Sequence, residues 1–281
     1  MVIFECSFIR ELKAFLCFDM AFIPCICVSL GSLCLTLAFA ELLRLIIHAS
    51  LKGGILKIAL LEFVAAAELC GCGFELVIIA DNYGISAYAI CLFLLTIWWG
   101  TRWTDETACP YTHFEECLLG RMSSLETIVR TVAEIVGGLL VFKYIHFLWS
   151  IEFTETHVGR AHSASFNHCS SDLQVPVLYG ALIEGVATMI CRCTSKFLSD
   201  KKPHYASTID SFVATSLVIL AFDYSGGYYN PVLATGLKYG CKGHPLTDHI
   251  LVYWIGASLG AIASIYIYPL FSDFNSKKIQ S

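Results

Sequence analysis

The chain has 281 residues, 57% of them hydrophobic and 15% charged, with a formal net charge of −5. A soluble domain usually carries about 25% charged residues, so this composition excludes a disordered chain, a coiled coil and an ordinary soluble enzyme. Its 18 basic residues give no field for nucleic acid, and the remaining class is a polytopic helical membrane protein.

A bilayer core of about 30 Å needs about 20 helical residues. Apolar stretches of about that length lie near 20–47, 55–80, 85–103, 126–149, 176–195, 206–222 and 247–271. The first has no charge from Met20 to Ala40 and reads as a signal-anchor helix rather than a cleaved leader. Most of the 14 cysteines sit in apolar runs, Cys70, Cys72 and Cys191 among them, and read as small packing residues. Their spacing does not suit a zinc site. Cys169 differs, because its loop is polar; it is available for a disulfide where that loop faces an oxidising lumen, but the sequence names no partner.

Basic residues set orientation. Arg44, Lys52, Lys57, Arg102, Arg121, Arg130, Arg192, Lys196, Lys201, Lys202, Lys277 and Lys278 fall on one side if the chain crosses at every span. That side is the expected cytoplasmic face. The 150–175 loop and the 223–246 connection then open on the other, where Arg160 is the main basic residue.

The last six spans repeat. Glu62 precedes the dipeptide Cys109-Pro110 by 47 residues, and Glu184 precedes Asn230-Pro231 by 46. Small-residue pairs follow each: Gly137-Gly138, then Gly256 and Gly260. The two halves enter from opposite sides, and inverted repeats place a solute site at their interface. Segments 110–119 and 231–240 are too short to cross. Each begins with Pro, which suits a first helical turn, and Asn is a good N-cap. Each therefore reads as a half-helix starting inside the membrane, which is tolerated only where it is enclosed or lines a polar path.

The run Asp223-Tyr224-Ser225-Gly226-Gly227-Tyr228-Tyr229-Asn230-Pro231-Val232 resembles the aquaporin (major intrinsic protein) family. So do Val252-Tyr253-Trp254-Ile255-Gly256, Leu61-Glu62-Phe63-Val64-Ala65 and Cys109-Pro110-Tyr111. The extra N-terminal segment and the degenerate first motif are similar to the superaquaporin branch, and the cysteine-proline-tyrosine triplet to its insect members. The resemblance implies an all-α membrane protein: an inverted repeat of six transmembrane helices with two re-entrant half-helices, plus one extra N-terminal helix. It divides the chain into an extension (1–54), a first channel repeat (55–150), a connecting loop (151–175), a second repeat (176–271) and a cytoplasmic tail (272–281).

The resemblance further implies pore motifs at Cys109, Pro110, Tyr111 and at Asn230, Pro231, Val232. Glu62 and Glu184 would accept hydrogen bonds from the half-helix loops. The selectivity positions fall at Ala89, Val218, Gly227 and Leu233, with the register at Ala89 open by a turn. Cys109 departs from the asparagine of the first tip, and a thiol is a weak donor. Leu233 stands where the family has arginine. The expected function is a passive channel for water and small uncharged solutes such as glycerol or hydrogen peroxide, with no cofactor and no metal. The expected assembly is a homotetramer in a lipid bilayer, in an intracellular membrane such as endoplasmic reticulum or in the plasma membrane. The alternative is a non-conducting scaffold that keeps the fold.

Other polar residues in the spans have plainer readings. Glu68 reads as paired inside the bundle, and Glu75 as lying near the far interface. His113, Glu115 and Glu116 follow the first motif, but successive helical positions diverge by about 100°, so packing or vestibule roles outweigh a shared metal. Trp98, Trp99 and Trp103 read as a belt or packing groups, with a pore-lining role for one of them held open. No nucleophile constellation or phosphate loop is present, so no catalysis is expected.

Overall fold

A computed structural model of the protein describes residues 24–162, 169–243 and 245–279. The start of the first expected span, the Asn167-His168 dipeptide and the last two residues of the expected tail lie outside the described residues.

Helix α1 is Cys25–Ser50. Helix α2, Ile55–Arg102, is 48 residues long and is interrupted at Gly84, whose φ of 78° and ψ of 176° are not helical. Glycine takes that conformation without steric cost. Cys72 and Leu76 on one arm share a core cluster with Leu92, Leu95 and Trp99 on the other. The two arms therefore run antiparallel and supply the second and third expected spans. Half-helix α3 is Pro110–Leu118, and α4 is Ser124–Trp149, capped by the Ser123 hydroxyl, which accepts from the Glu126 amide. A short helix α5, Glu155–His162, lies in the connecting loop.

The second half repeats the plan. Helix α6 is Val177–Lys201, α7 is Ala206–Ser225 and half-helix α8 is Pro231–Lys238. The last span begins as α9 (Leu246–His249), passes through a π-helical turn (Ile250–Gly256) and continues as α10 (Ala257–Ile279). Among the described residues, five helical stretches are long and apolar enough to cross a membrane: α1, α2, α6, α7 and Leu246–Leu270. Helix α4, 26 residues long, stands among them. Because α2 doubles back, the described residues form six repeat spans and two half-helices, preceded by α1.

Small residues let the spans of each half cross closely in lipid. A Cβ on Gly137 of α4 would lie 2.3 Å from the carbonyl oxygen of Phe63 in α2. A Cβ on Gly260 of α10 would lie 1.9 Å from that of Gly185 in α6. The matched glycine pairs are thus matched backbone crossings, one in each half.

Helix α1 is built into the bundle. Leu33 packs into the cluster of Cys72, Leu76 and Ile79. Thr36 Oγ1 lies 3.3 Å from the Tyr144 hydroxyl, and Phe39 stacks on the Tyr144 ring. Arg44, 5% exposed, pairs with Glu68 of α2 and with Glu41. Arg102 closes the network on Glu41, and Trp103 Nε1 donates to Glu68 at 3.1 Å. Arg44 therefore has a structural task as well as the topological one expected of it. Glu68 is paired inside the bundle.

Candidate functional site

The two half-helices meet at their N-termini. Asn230 is the N-cap of α8: its Oδ1 accepts from the amides of Val232 at 2.9 Å and Leu233 at 3.3 Å. Its Nδ2 crosses to the other half and donates to the carbonyl of Ala108 at 2.9 Å. Pro110 and Pro231 occupy first-turn positions, where no backbone donor is lost. Pro231 and Val232 are buried. Cys109 is the N-cap of α3 but makes no side-chain cap bond. It is 5% exposed and packs with Tyr111 against Ala257 and Ala261 of α10.

Each tip hangs from a fully buried glutamate. Glu62 Oε2 accepts from the amides of Thr107 and Ala108, both at 3.1 Å. Glu184 Oε1 accepts from the Ser225 hydroxyl at 2.6 Å and the Tyr228 amide at 3.2 Å, and its Oε2 takes the Tyr229 amide. A buried acid is costly unless its lone pairs are filled, and these donors fill them. Tyr253, in the π-helical turn, adds a bond from its hydroxyl to the Ser225 carbonyl at 2.6 Å.

The first tip has further support that the sequence reading missed. Arg130 Nη1 donates to Glu62 Oε1 at 2.8 Å, and His113 Nε2 lies 2.9 Å from Glu134 Oε1 and 3.4 Å from Glu62 Oε1. Glu62, His113 and Glu134 group closely enough to face one cation, and the Arg130 guanidinium touches the group at Glu62. The signal for Glu134 was present, an acid inside an apolar span of the same kind as Glu62. The three residues after the first motif separate. His113 joins this cluster, Glu115 takes Arg192, Lys196 and Ser264, and Glu116 pairs with Arg121 at 2.7 Å. Helix α6 extends to Lys201, so Arg192 and Lys196 are helical.

In the re-entrant loop, burial works against the charge of Glu106. The amides of Asp105, Glu106 and Thr104 outweigh it and hold the carboxyl below the usual range. That charge stands 3.8 Å from Arg44 Nε.

A cavity of about 880 Å³ runs between the arms of α2, α4 and α8. It is lined along α2 from Ile85 to Trp99, roughly 20 Å of helix at 1.5 Å per residue. Leu69, Tyr88, Leu92, Trp99 and Leu233 form much of its wall. Leu233 is one turn from Asn230. Gly227 and Val218 are in contact, since a Cβ on Gly227 would lie 2.5 Å from the Val218 carbonyl oxygen. Val218 packs with Leu92, and Gly226 and Tyr228 line the cavity beside Gly227. On the α2 arm the lining face carries Ile85, Tyr88 and Leu92; Ala89 is not on it. Among the three tryptophans, Trp99 lines the cavity, Trp103 holds Glu68, and Trp98 stacks under Arg102.

The mouth is polar and stapled. Lys238 Nζ pairs with Asp172 at 2.7 Å, and the Tyr228 hydroxyl donates to the same carboxylate at 2.5 Å. Cys169 finds a disulfide partner in Cys241, and the Ser171 and Lys242 amides bond across the same junction. Helix α5 forms part of the wall with Thr156, Gly159 and Arg160. Its His157 lies 3.0 Å from Glu75, which also takes the Trp149 indole N–H at 3.2 Å.

No protein-family model matches the chain. It is similar to aquaporin-11 of Milnesium tardigradum, 30% identical over 240 residues, which cover 85% of this chain and 86% of that protein. It is 26% identical to mouse aquaporin-12 over 86% of this chain and 84% of the relative. It is 24% identical to human aquaporin-11 over 87% and 90%.

Proposed function

The chain belongs to the aquaporin family, in the branch of aquaporin-11 and aquaporin-12, and from that premise we propose that it conducts water and small uncharged solutes passively, glycerol and hydrogen peroxide among them. The bond from Asn230 Nδ2 to the Ala108 carbonyl carries this reading, because it joins the two half-helix tips. Each helix N-terminus carries about half a positive charge, so two tips in contact set a positive field at the centre, which opposes cations and hydronium. An amide NH2 has two hydrogens. Asn230 spends one on Ala108 and keeps one for a passing oxygen.

The approach to the tips supports breadth of solute rather than strict water selection. Leu69, Tyr88, Leu92 and Leu233 present carbon to the solute, and position 233 offers no cation. Such a wall favours solutes with carbon skeletons and peroxide over a tightly hydrogen-bonded water file. Tyr88, on the lining face one residue from Ala89, takes the selectivity position on α2, together with Val218, Gly227 and Leu233. The functional unit is a homotetramer with a path in each subunit, in an intracellular membrane such as endoplasmic reticulum.

Stopped-flow light scattering on proteoliposomes, run with water, glycerol, urea and peroxide, tests the proposal. Permeability above empty liposomes for at least one of these is expected. Values equal to empty liposomes for all four favour the second reading, a non-conducting scaffold. The observation behind that reading is Cys109, whose thiol packs against α10 instead of capping its half-helix.

A further inference from the structure

We infer that Glu62, His113 and Glu134 together form a buried proton-binding site that governs the position of the first half-helix tip. This regulation rests on the channel reading. The three residues are at most 1% exposed. His113 Nε2 stands between the two carboxylates, 2.9 Å from Glu134 and 3.4 Å from Glu62. The one buried cation in the cluster is Arg130, 5% exposed, on Glu62 at 2.8 Å. Two buried carboxylates against one buried guanidinium leave one negative charge uncompensated. Glu134 Oε2 is buried and has no hydrogen-bond partner.

An isolated charge in this medium is too costly to persist, so the site takes up a positive charge. A divalent ion would overshoot neutrality with Arg130 in place, whereas one proton restores it. The groups facing the site are Glu62 and Cys70 from α2, Asp105 and Cys109 from the loop, His113 from α3, and Glu126, Arg130 and Glu134 from α4. Asp105 is exposed and Glu126 partly so, and both pair with Arg130. They connect the site to the solvent on the face that carries Arg121.

The site is wired to the centre of the path. Glu62 holds the Thr107 and Ala108 amides, and the Ala108 carbonyl receives Asn230. When the proton leaves, Glu134 and Glu62 repel across His113. Glu62 then shifts, and the segment 107–108 that it holds moves with it. Ala108 sits at a φ of 49°, a conformation a non-glycine residue keeps only while its surroundings enforce it. Solute flux therefore falls as the pH on the Arg121 face rises.

The test is flux through proteoliposomes from acid to alkaline pH, with infrared difference spectra of the same samples. Wild-type flux should fall about fivefold or more, the lower range of site-to-site coupling. Glu134→Gln, which leaves Glu62 and Arg130 balanced, should be flat with pH. Glu134→Asp, which keeps the charge, should retain the fall. The spectra should show a carboxylic acid or imidazolium losing its proton in wild type and not in Glu134→Gln. A conducting wild type with no pH dependence, or a Glu134→Gln chain with the wild-type profile, overturns the inference; so does a wild-type spectrum without that proton loss. A chain that conducts at no pH but shows the spectral change keeps the site and removes the channel reading.

Discussion

Asn230 gives its oxygen to its own helix and its nitrogen to the other half of the protein. The Oδ1 atom accepts from Val232 and Leu233, while Nδ2 reaches the Ala108 carbonyl at 2.9 Å. One side chain thus caps α8 and ties the two tips together, and substitutions can separate the two tasks. Serine also caps helices well but is too short to reach Ala108. Asn230→Ser should lose about 1 kcal/mol with the bond to the buried Ala108 carbonyl, and Asn230→Ala should lose about 1 kcal/mol more with the cap. Both should lower solute flux several-fold. Full flux in Asn230→Ser would show that the contact between the tips is dispensable.

Glu184 fills both carboxylate oxygens with donors from Ser225, Tyr228 and Tyr229. In Glu184→Gln one oxygen becomes an NH2 that faces a donor. Leaving a buried amide unsatisfied costs about 1–3 kcal/mol. The expected result is a lower unfolding temperature in detergent together with reduced flux. An unchanged thermal transition would mean that the loop before α8 does not depend on this carboxylate.

Arg44 predicts a coupled pair. Alone, Arg44→Met strands Glu68 in the interior, and breaking a buried pair costs about 3–5 kcal/mol. Combined with Glu68→Gln, much of that loss should return, because the stranded charge is gone. A double-mutant cycle on thermal stability measures the coupling. Strict additivity would contradict the view that α1 is fastened to the channel body by this ion pair.

The disulfide between Cys169 and Cys241 predicts which face meets an oxidising compartment, since such bonds persist there. It lies on the face opposite Lys201 and Lys202. A membrane-impermeant reductant applied to sealed vesicles should open it only from that opposite face, as read by mass spectrometry of the linked peptides. Reduction from the Lys201 side would invert the orientation drawn from the basic residues.

Much of this architecture is written in local signals. Proline at a first turn, asparagine as a cap and Glu-to-tip spacings that differ by one residue are visible in the sequence, and they locate both half-helices to within two residues. The glycine pairs mark the closest helix crossings for the same reason. What escaped was set by distance in three dimensions. His113, Arg130 and Glu134 converge on Glu62 from 51, 68 and 72 residues away, and no periodicity announces that. Cys241 was invisible as the partner of Cys169 across a separation of 72. The step from Ala89 to Tyr88 on the lining face depends on how the irregular segment 103–109 folds, which helical phase cannot fix.

The cavity wall offers the most direct test of the whole account. Leu233 lies one turn from Asn230 and packs against Gly73, where a Cβ would stand 3.2 Å from its Cδ1. A larger side chain there has the open cavity to enter. Solute flux through proteoliposomes should be measured for wild type and Leu233→Trp, with matched reconstitution and thermal stability. Wild-type flux above empty liposomes is expected, with a drop to the liposome baseline in the variant. Equal flux in the two proteins would contradict a path along Leu233 to the joined tips.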